Sequence, residues 1–156
     1  MSGLYILDAS VFIQAHRQPY PFDVAPAFWD ALLYCARRHC LVSFDAVDRE
    51  LTGNDQLSQW ARVHKDDLFR STDILEVVAA YRDVMAWVTQ NSQHVEAAKA
   101  AFAGGADAWV IAFTIPYGHA IVTQEVSSPL SRTKVKIPYV CSAMNVDAID
   151  TVQPFK

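Results

Sequence analysis

The sequence is short of cysteine, glycine and positive charge, and each shortage removes a class of protein. Three cysteines, Cys35, Cys40 and Cys141, make no disulfide framework, which suits a reducing compartment. Five glycines leave no phosphate-cradling loop, because the pair at Gly104 and Gly105 does not follow a strand. Thirteen Lys and Arg against seventeen Asp and Glu give a net charge of −4. That is the wrong sign for a surface that coats nucleic acid, although a local basic strip remains possible. No apolar run reaches the length of a membrane span, and the N-terminus lacks the basic, apolar, small-residue order of a signal peptide. The expectation is a soluble, cytoplasmic protein without a membrane partner. There is no internal repeat, no low-complexity segment, and no triad order relating the histidines to a serine or cysteine nucleophile.

What the chain has is apolar mass. Hydrophobic residues make up 52% and charged residues 19% of 156, enough for a compact core and one domain over residues 1–156. Leu4 to Leu7 is a continuous apolar run, the pattern of a strand buried on both faces, and it stops at Asp8. The segment "ASVFIQAHRQ" reads as a helix, ending before a loop stretch with Pro19, Pro21 and Pro26. "APAFWDALLYCARRH" is a second helix, "CLVS" a second strand, and "FDAVDREL" a helix with Phe44, Val47 and Leu51 inward, closed by Gly53. Another amphipathic helix covers residues 54–66 around Leu57, Trp60 and Ala61. The longest helix starts near Asp73, which with Glu76 forms a capping-box pattern, and its stripe runs Ile74, Val78, Tyr81, Met85 and Val88. "SQHVEAAKAAFA" and the all-apolar "ADAWVIAFTI" are helices, the second central and buried. "HAIVT" and "VKIPYVCSA" read as strands, and "VDAIDTV" as a short closing helix. Strands separated by helices imply parallel pairing and right-handed crossovers, hence an α/β fold, a three-layer α/β/α sandwich around a parallel sheet.

In an open parallel sheet, ligands bind outside the carboxyl ends of the strands. Asp8 ends the first strand and Glu125 lies just past "AIVT", so both acids emerge on one edge. Asp107 opens the buried helix, and Glu50 lies near the end of the helix after the second strand. Each has an ordinary explanation: Asp8 and Asp107 as helix caps or dipole partners, Glu50 as a solvated residue. The order of the four is less ordinary. "YILDASVFI", "VSFDAVDREL", "GGADAWVIAF" and "AIVTQE", spanning about four-fifths of the chain, together resemble the PIN-domain ribonuclease pattern.

The resemblance implies a PIN-like sandwich whose acids bind Mg²⁺ or Mn²⁺ and whose activity is endonucleolytic hydrolysis of RNA. Asp8, Glu50 and Asp107 match the family's three main acids, as both metal ligands and catalytic residues. Ser10 matches its small polar residue two after the first acid, and Thr123 the threonine before the fourth. Glu125 stands where Asp is commoner, a departure that sets the chain apart from the VapC-like toxins and alters a second metal position. The resemblance further implies the toxin role of a toxin–antitoxin pair, with an antitoxin partner and a homodimer. The chemistry agrees with the residue types: hard divalent ions take oxygen ligands, and crowded carboxylates repel until a cation arrives.

Arg132, Lys134 and Lys136, in "SRTKVK", follow Glu125 closely enough to hold RNA phosphates, or they protect a solvated edge strand. Cys35 and His39 are spaced i, i+4 beside Cys40, a zinc reading that lacks a fourth ligand. Phe28, Trp29, Trp60, Trp87 and Trp109 read as core or interface residues. The alternative to a nuclease is a binding module, a PIN-like fold with a weakened site that holds RNA or a protein without cutting it.

Overall fold

The computed structural model describes residues 4–17, 22, 23, 25–51, 53, 55–118 and 120–149. Pro19, Pro21 and the end of the expected closing helix, from Asp150, lie outside them. The described chain forms a five-stranded, all-parallel sheet with helices between the strands, an α/β sandwich.

The central strand β1 (Tyr5–Leu7) is apolar along its length because parallel neighbours and helical layers enclose it. Helices α1 (Ala9–Arg17) and α2 (Pro26–Arg37) lead to β2 (Leu41–Phe44), which pairs with β1 through Tyr5 opposite Leu41. Helices α3 (Asp45–Glu50), α4 (Gln56–Val63) and α5 (Lys65–Leu68) lead to the edge strand β3 (Phe69–Arg70). The chain then turns back through α6 (Leu75–Gln90), α7 (Glu96–Gly104) and α8 (Asp107–Tyr117). It enters β4 (Ala120–Val122) on the other side of β1, and α9 (Ile137–Met144) carries it to β5 (Asp147–Ile149).

The strand order is therefore β3-β2-β1-β4-β5. Right-handed crossovers running one way put α1–α5 on one face, and crossovers running back put α6–α9 on the other. The contacts agree: α2 and α5 pack together on β2, whereas α8 lies across β1, β2 and β4 against α6, α7 and α9. Winding reverses between β1 and β4, and a crevice opens at the carboxyl ends of that strand pair.

Helix α8 holds the second layer in place. Val110, Ile111 and Ala112 are fully buried, Phe113 meets Phe44 with ring centroids 4.2 Å apart, and Trp109 stacks on Tyr81 at 4.0 Å. Each fully buried aliphatic side chain of this kind contributes about 1.5–3 kcal/mol. The helix ends at Gly118, where an added Cβ would stand 2.7 Å from Thr114 Cγ2 and 2.9 Å from Thr114 Cα. Gly118→Ala should therefore lower stability by about 1–3 kcal/mol. An unchanged urea midpoint would show that the α8–β4 turn relaxes freely.

Local pattern misassigned the last third in three places. "VKIPYVCSA" is not a strand: Pro138 sits in the first turn of α9, and Ile137, Val140 and Cys141 bury one helical face. Asn145, at φ 57°, stops that helix in the left-handed region. The expected closing helix begins instead as β5, which pairs with β4 through Ala148 opposite Ile121. The basic segment before α9 is not an edge strand, since residues 131–136 lie outside any regular element. Asp73 does not cap α6; its N-cap is Ile74, and the buried face runs through Val77, Ala80, Val84 and Val88.

Among the described residues no single helix is long and apolar enough to cross a membrane. Helices α7 and α8 together are long and apolar enough but bend by 64° between them, and α8 lies in the core.

Candidate functional site

The backbone carries the β1/β4 ladder one residue past β1, the Asp8 N–H donating to the Val122 carbonyl at 3.2 Å. The Asp8 side chain thus stands at the crevice where the winding reverses, with the residue only 2% exposed. Three donors satisfy it. Ser10 Oγ donates to Oδ1 at 2.5 Å, Thr123 Oγ1 to Oδ2 at 2.7 Å, and the Val11 N–H to Oδ1 at 3.3 Å. The Val11 bond is a helix cap, so the ordinary explanation of Asp8 holds in part. Burial nevertheless outweighs the hydroxyl bonds and, with Glu125 adding repulsion, pushes the Asp8 carboxyl up to about 6.

Ser10 and Thr123 work as a pair. Ser10 Oγ also accepts the Gln124 N–H at 3.0 Å, and Thr123 Oγ1 accepts the Glu125 N–H at 3.0 Å. These bonds fold the chain leaving β4 around Asp8 and bring Glu125 into the cavity. Asp107 enters from the opposite layer at the first turn of α8. It makes no cap bond, since the N-cap residue is Ala106. Burial first, then Glu125, Asp8 and Glu50, push its carboxyl up to about 7, against a weaker pull from Lys134.

Glu50 closes α3 and reaches the start of α8, its Oε1 accepting the Ala106 N–H at 2.8 Å. Glu50 stays exposed, as its reading as a solvated residue has it, and it also fastens the two layers. A Cβ at Gly105 would lie 3.3 Å from Glu50 Oε1, close enough that the carboxylate would have to give by a few tenths of an ångström. Glu125 Oε2 accepts the Ile137 N–H at 2.7 Å, which ties the site to the start of α9.

One cavity of about 280 Å³ collects Asp8, Ser10, Glu50, Asp107, Glu125 and Lys134. Its sequence neighbourhood groups Lys134 with Arg132 and Lys136 as a phosphate contact. Instead its Nζ lies 2.9 Å from Glu125 Oε1, the one cation among the described residues lining the cavity. That bond raises the lysine's own pKa. Arg132 and Lys136 do not line the cavity. The sequence puts Lys134 soon after Glu125 but gives no sign that the two pair. Cys141 is buried nearby, and burial raises its thiol to about 12, far from a reactive thiolate.

The donor set is all oxygen apart from the ammonium, and the acids repel one another, which is the chemistry of a hard divalent cation site. Their present hydrogen bonds point elsewhere. Among the described residues, no group of three His, Cys, Asp or Glu side chains is arranged to hold a metal ion. The residue types fit such an ion; the side chains would have to exchange protein donors for it.

A family model described as a domain of unknown function, DUF4411, matches residues 5–156. The chain belongs to the DUF4411 family. The match takes in every element from β1 to β5 and all four acids of the cavity. No curated protein and no solved structure matches the chain.

Proposed function

We propose that this DUF4411 chain is a metal-dependent, PIN-like endoribonuclease that hydrolyses RNA phosphodiester bonds. The observation that carries the reading is the convergence of Asp8, Glu50, Asp107 and Glu125, from four separate segments, on one cavity at the β1/β4 reversal. Holding the buried Asp8 and the half-buried Asp107 at about 6 and 7 costs stability, and such acids cluster where charge is needed for chemistry.

A bound Mg²⁺ or Mn²⁺ would supply an activated water and neutralise charge developing on the phosphate. Asp8 and Asp107, on facing layers, would be its main anionic ligands, with Glu50 and Glu125 beside them. Ser10 and Thr123 fix the orientation of Asp8 through both of its oxygens. Glu50 keeps α3 and α8 in register across the cavity. Lys134 holds part of the negative charge while the acids are crowded. On the same reading the chain would serve as a toxin, dimeric and held by an antitoxin.

A second reading has its own support. The engaged oxygens of Asp8, Glu50 and Glu125, and the Lys134 contact, favour a module that binds RNA or a protein without cutting it.

The deciding experiment incubates purified protein with mixed RNAs in Mn²⁺, Mg²⁺ or EDTA. Asp8→Asn, Glu50→Gln and Asp107→Asn should each reduce cleavage by about a hundredfold or more while the chain stays folded. Double variants should add little, because groups acting as one unit are non-additive. Metal-independent cleavage would rule out the metal-dependent nuclease, and full activity in any one of the three variants would remove that residue from the site.

A further inference from the structure

The acid cavity does not end at Glu50. A second cavity of about 190 Å³ shares Ile13 and Glu50 with it and is lined further by His16, Arg17, Asp55 and Ser58. A third, open cavity of about 290 Å³ follows along α4, lined by Phe22, Gln56, Gln59, Trp60 and His64. The second and third adjoin, since the ring of His16 lies 5.0 Å from that of Phe22. Asp55 with Gln56, and Ser58 with Gln59, are chain neighbours on either side of the join.

From the acids outward, this groove changes from anionic to mixed to aromatic. We propose that it is a track for single-stranded nucleic acid, with one unpaired base seated against Trp60 and Phe22. The inference rests on the nuclease reading for the role of the acid end, and adds to it where the neighbouring nucleotides bind.

Trp60 is suited to such a seat. It is partly buried, with Trp29 at 4.8 Å and Phe12 at 6.3 Å behind it, so its position is fixed by the core. Phe22 lies beside it at 5.9 Å and completes an apolar wall. Gln56 and Trp60, one helical turn apart, line the same cavity, which puts a hydrogen-bonding amide on the wall beside the ring. Helix α4 also leaves Val63 77% exposed at the far rim, an unused apolar surface beside the platform.

Arg17 ends α1 on the exposed rim and is positioned to meet a backbone phosphate. Asp55 on the other wall is already committed, capping α4 by accepting the Ser58 N–H at 2.9 Å. With so few cations in the groove and a net charge of −4, stacking rather than phosphate contact must carry the affinity. A seat against Trp60 and Phe22 takes a base by its face, which a duplex keeps stacked on its neighbours, so the track selects unpaired strands.

The test measures anisotropy of a labelled oligouridylate of about ten nucleotides in EDTA, where metal-dependent cleavage is off. Trp60→Leu should weaken binding about tenfold, and Phe22→Leu by a smaller factor, the scale of lost base–aromatic stacking. Arg17→Ala should flatten the dependence of log affinity on log salt by about 0.7. A hairpin of the same length should bind more weakly than the single strand. Should Trp60→Leu fail to give a parent-like melting curve, Phe22→Leu and Gln56→Ala carry the test in its place. Parent-like affinity in the folded variants, or no binding by the parent chain, would overturn the track. Trp60-dependent binding without any metal-dependent cleavage would keep the track and sink the nuclease. Cleavage by a protein whose binding ignores all these positions would do the reverse.

Discussion

In EDTA at pH 8, Asp107→Asn should be more stable to urea than the parent chain by about 3 kcal/mol, and at about pH 3 the difference should vanish. The sign follows from the carboxyl being held up at about 7 by burial and by Glu125, Asp8 and Glu50, against an ordinary 3.8 when unfolded. Below pH 3.8 both states carry the proton and the residue contributes nothing unfavourable. As pH rises from there toward 7, the unfolded chain releases its proton while the folded chain keeps it, so folding loses stability. Above 7 the penalty is complete, and the neutral amide escapes it. Asp8, held at about 6, should show the same trend with a smaller gain on Asp8→Asn. Its carboxyl already accepts from Ser10, Thr123 and Val11, and an amide nitrogen there would face donors. A gain that is equal at both pH values would mean that repulsion is not its origin. A loss at pH 8 would mean that Asp107 is held by favourable contacts, and the crowded-acid account would fail.

The second large effect concerns divalent ions. Mn²⁺ or Mg²⁺ at a hundred times its dissociation constant should stabilise the folded chain by about 2.7 kcal/mol. For a chain of 156 residues that is a rise in melting temperature of about 5–10 °C. Asp107→Asn should lose most of the response. Lys134→Met should heighten it at low metal, because the ammonium 2.9 Å from Glu125 Oε1 competes for the same charge. The response should also shrink at pH 5.5, where Asp8 and Asp107 both hold protons. A melting curve indifferent to both ions at millimolar concentration would leave Glu125–Lys134 as a structural pair and favour the binding module.

These effects depend on groups that the sequence only partly exposed. β1, β2 and β4 were legible because central parallel strands are continuous apolar runs, and α8 because it is apolar all round. Asp8 and Glu125 could be placed on one edge by counting strands alone. The edge strands were not legible. β3 has two residues, and β5, as long as β1 and β4, opens on the exposed Asp147 and lacks their buried apolar run; each pairs because a neighbouring strand offers unpaired backbone groups. α9 was hidden by its β-branched residues, since Pro138 marks a helix start only once the following chain is known to curl.

Sequence by itself determined the class of fold, the central strands and the set of acids, because apolar continuity and strand ends are written in consecutive residues. The tertiary structure decided the rest. It set the reversal of winding at β1/β4, which opens the crevice, and the bond from Ala106 that draws Glu50 into it. It placed Lys134 among the acids and left Trp60 at the end of a groove rather than wholly within the core. Each of these joins residues distant along the chain, and only packing of the two helical layers against the sheet brings them within hydrogen-bonding or van der Waals reach.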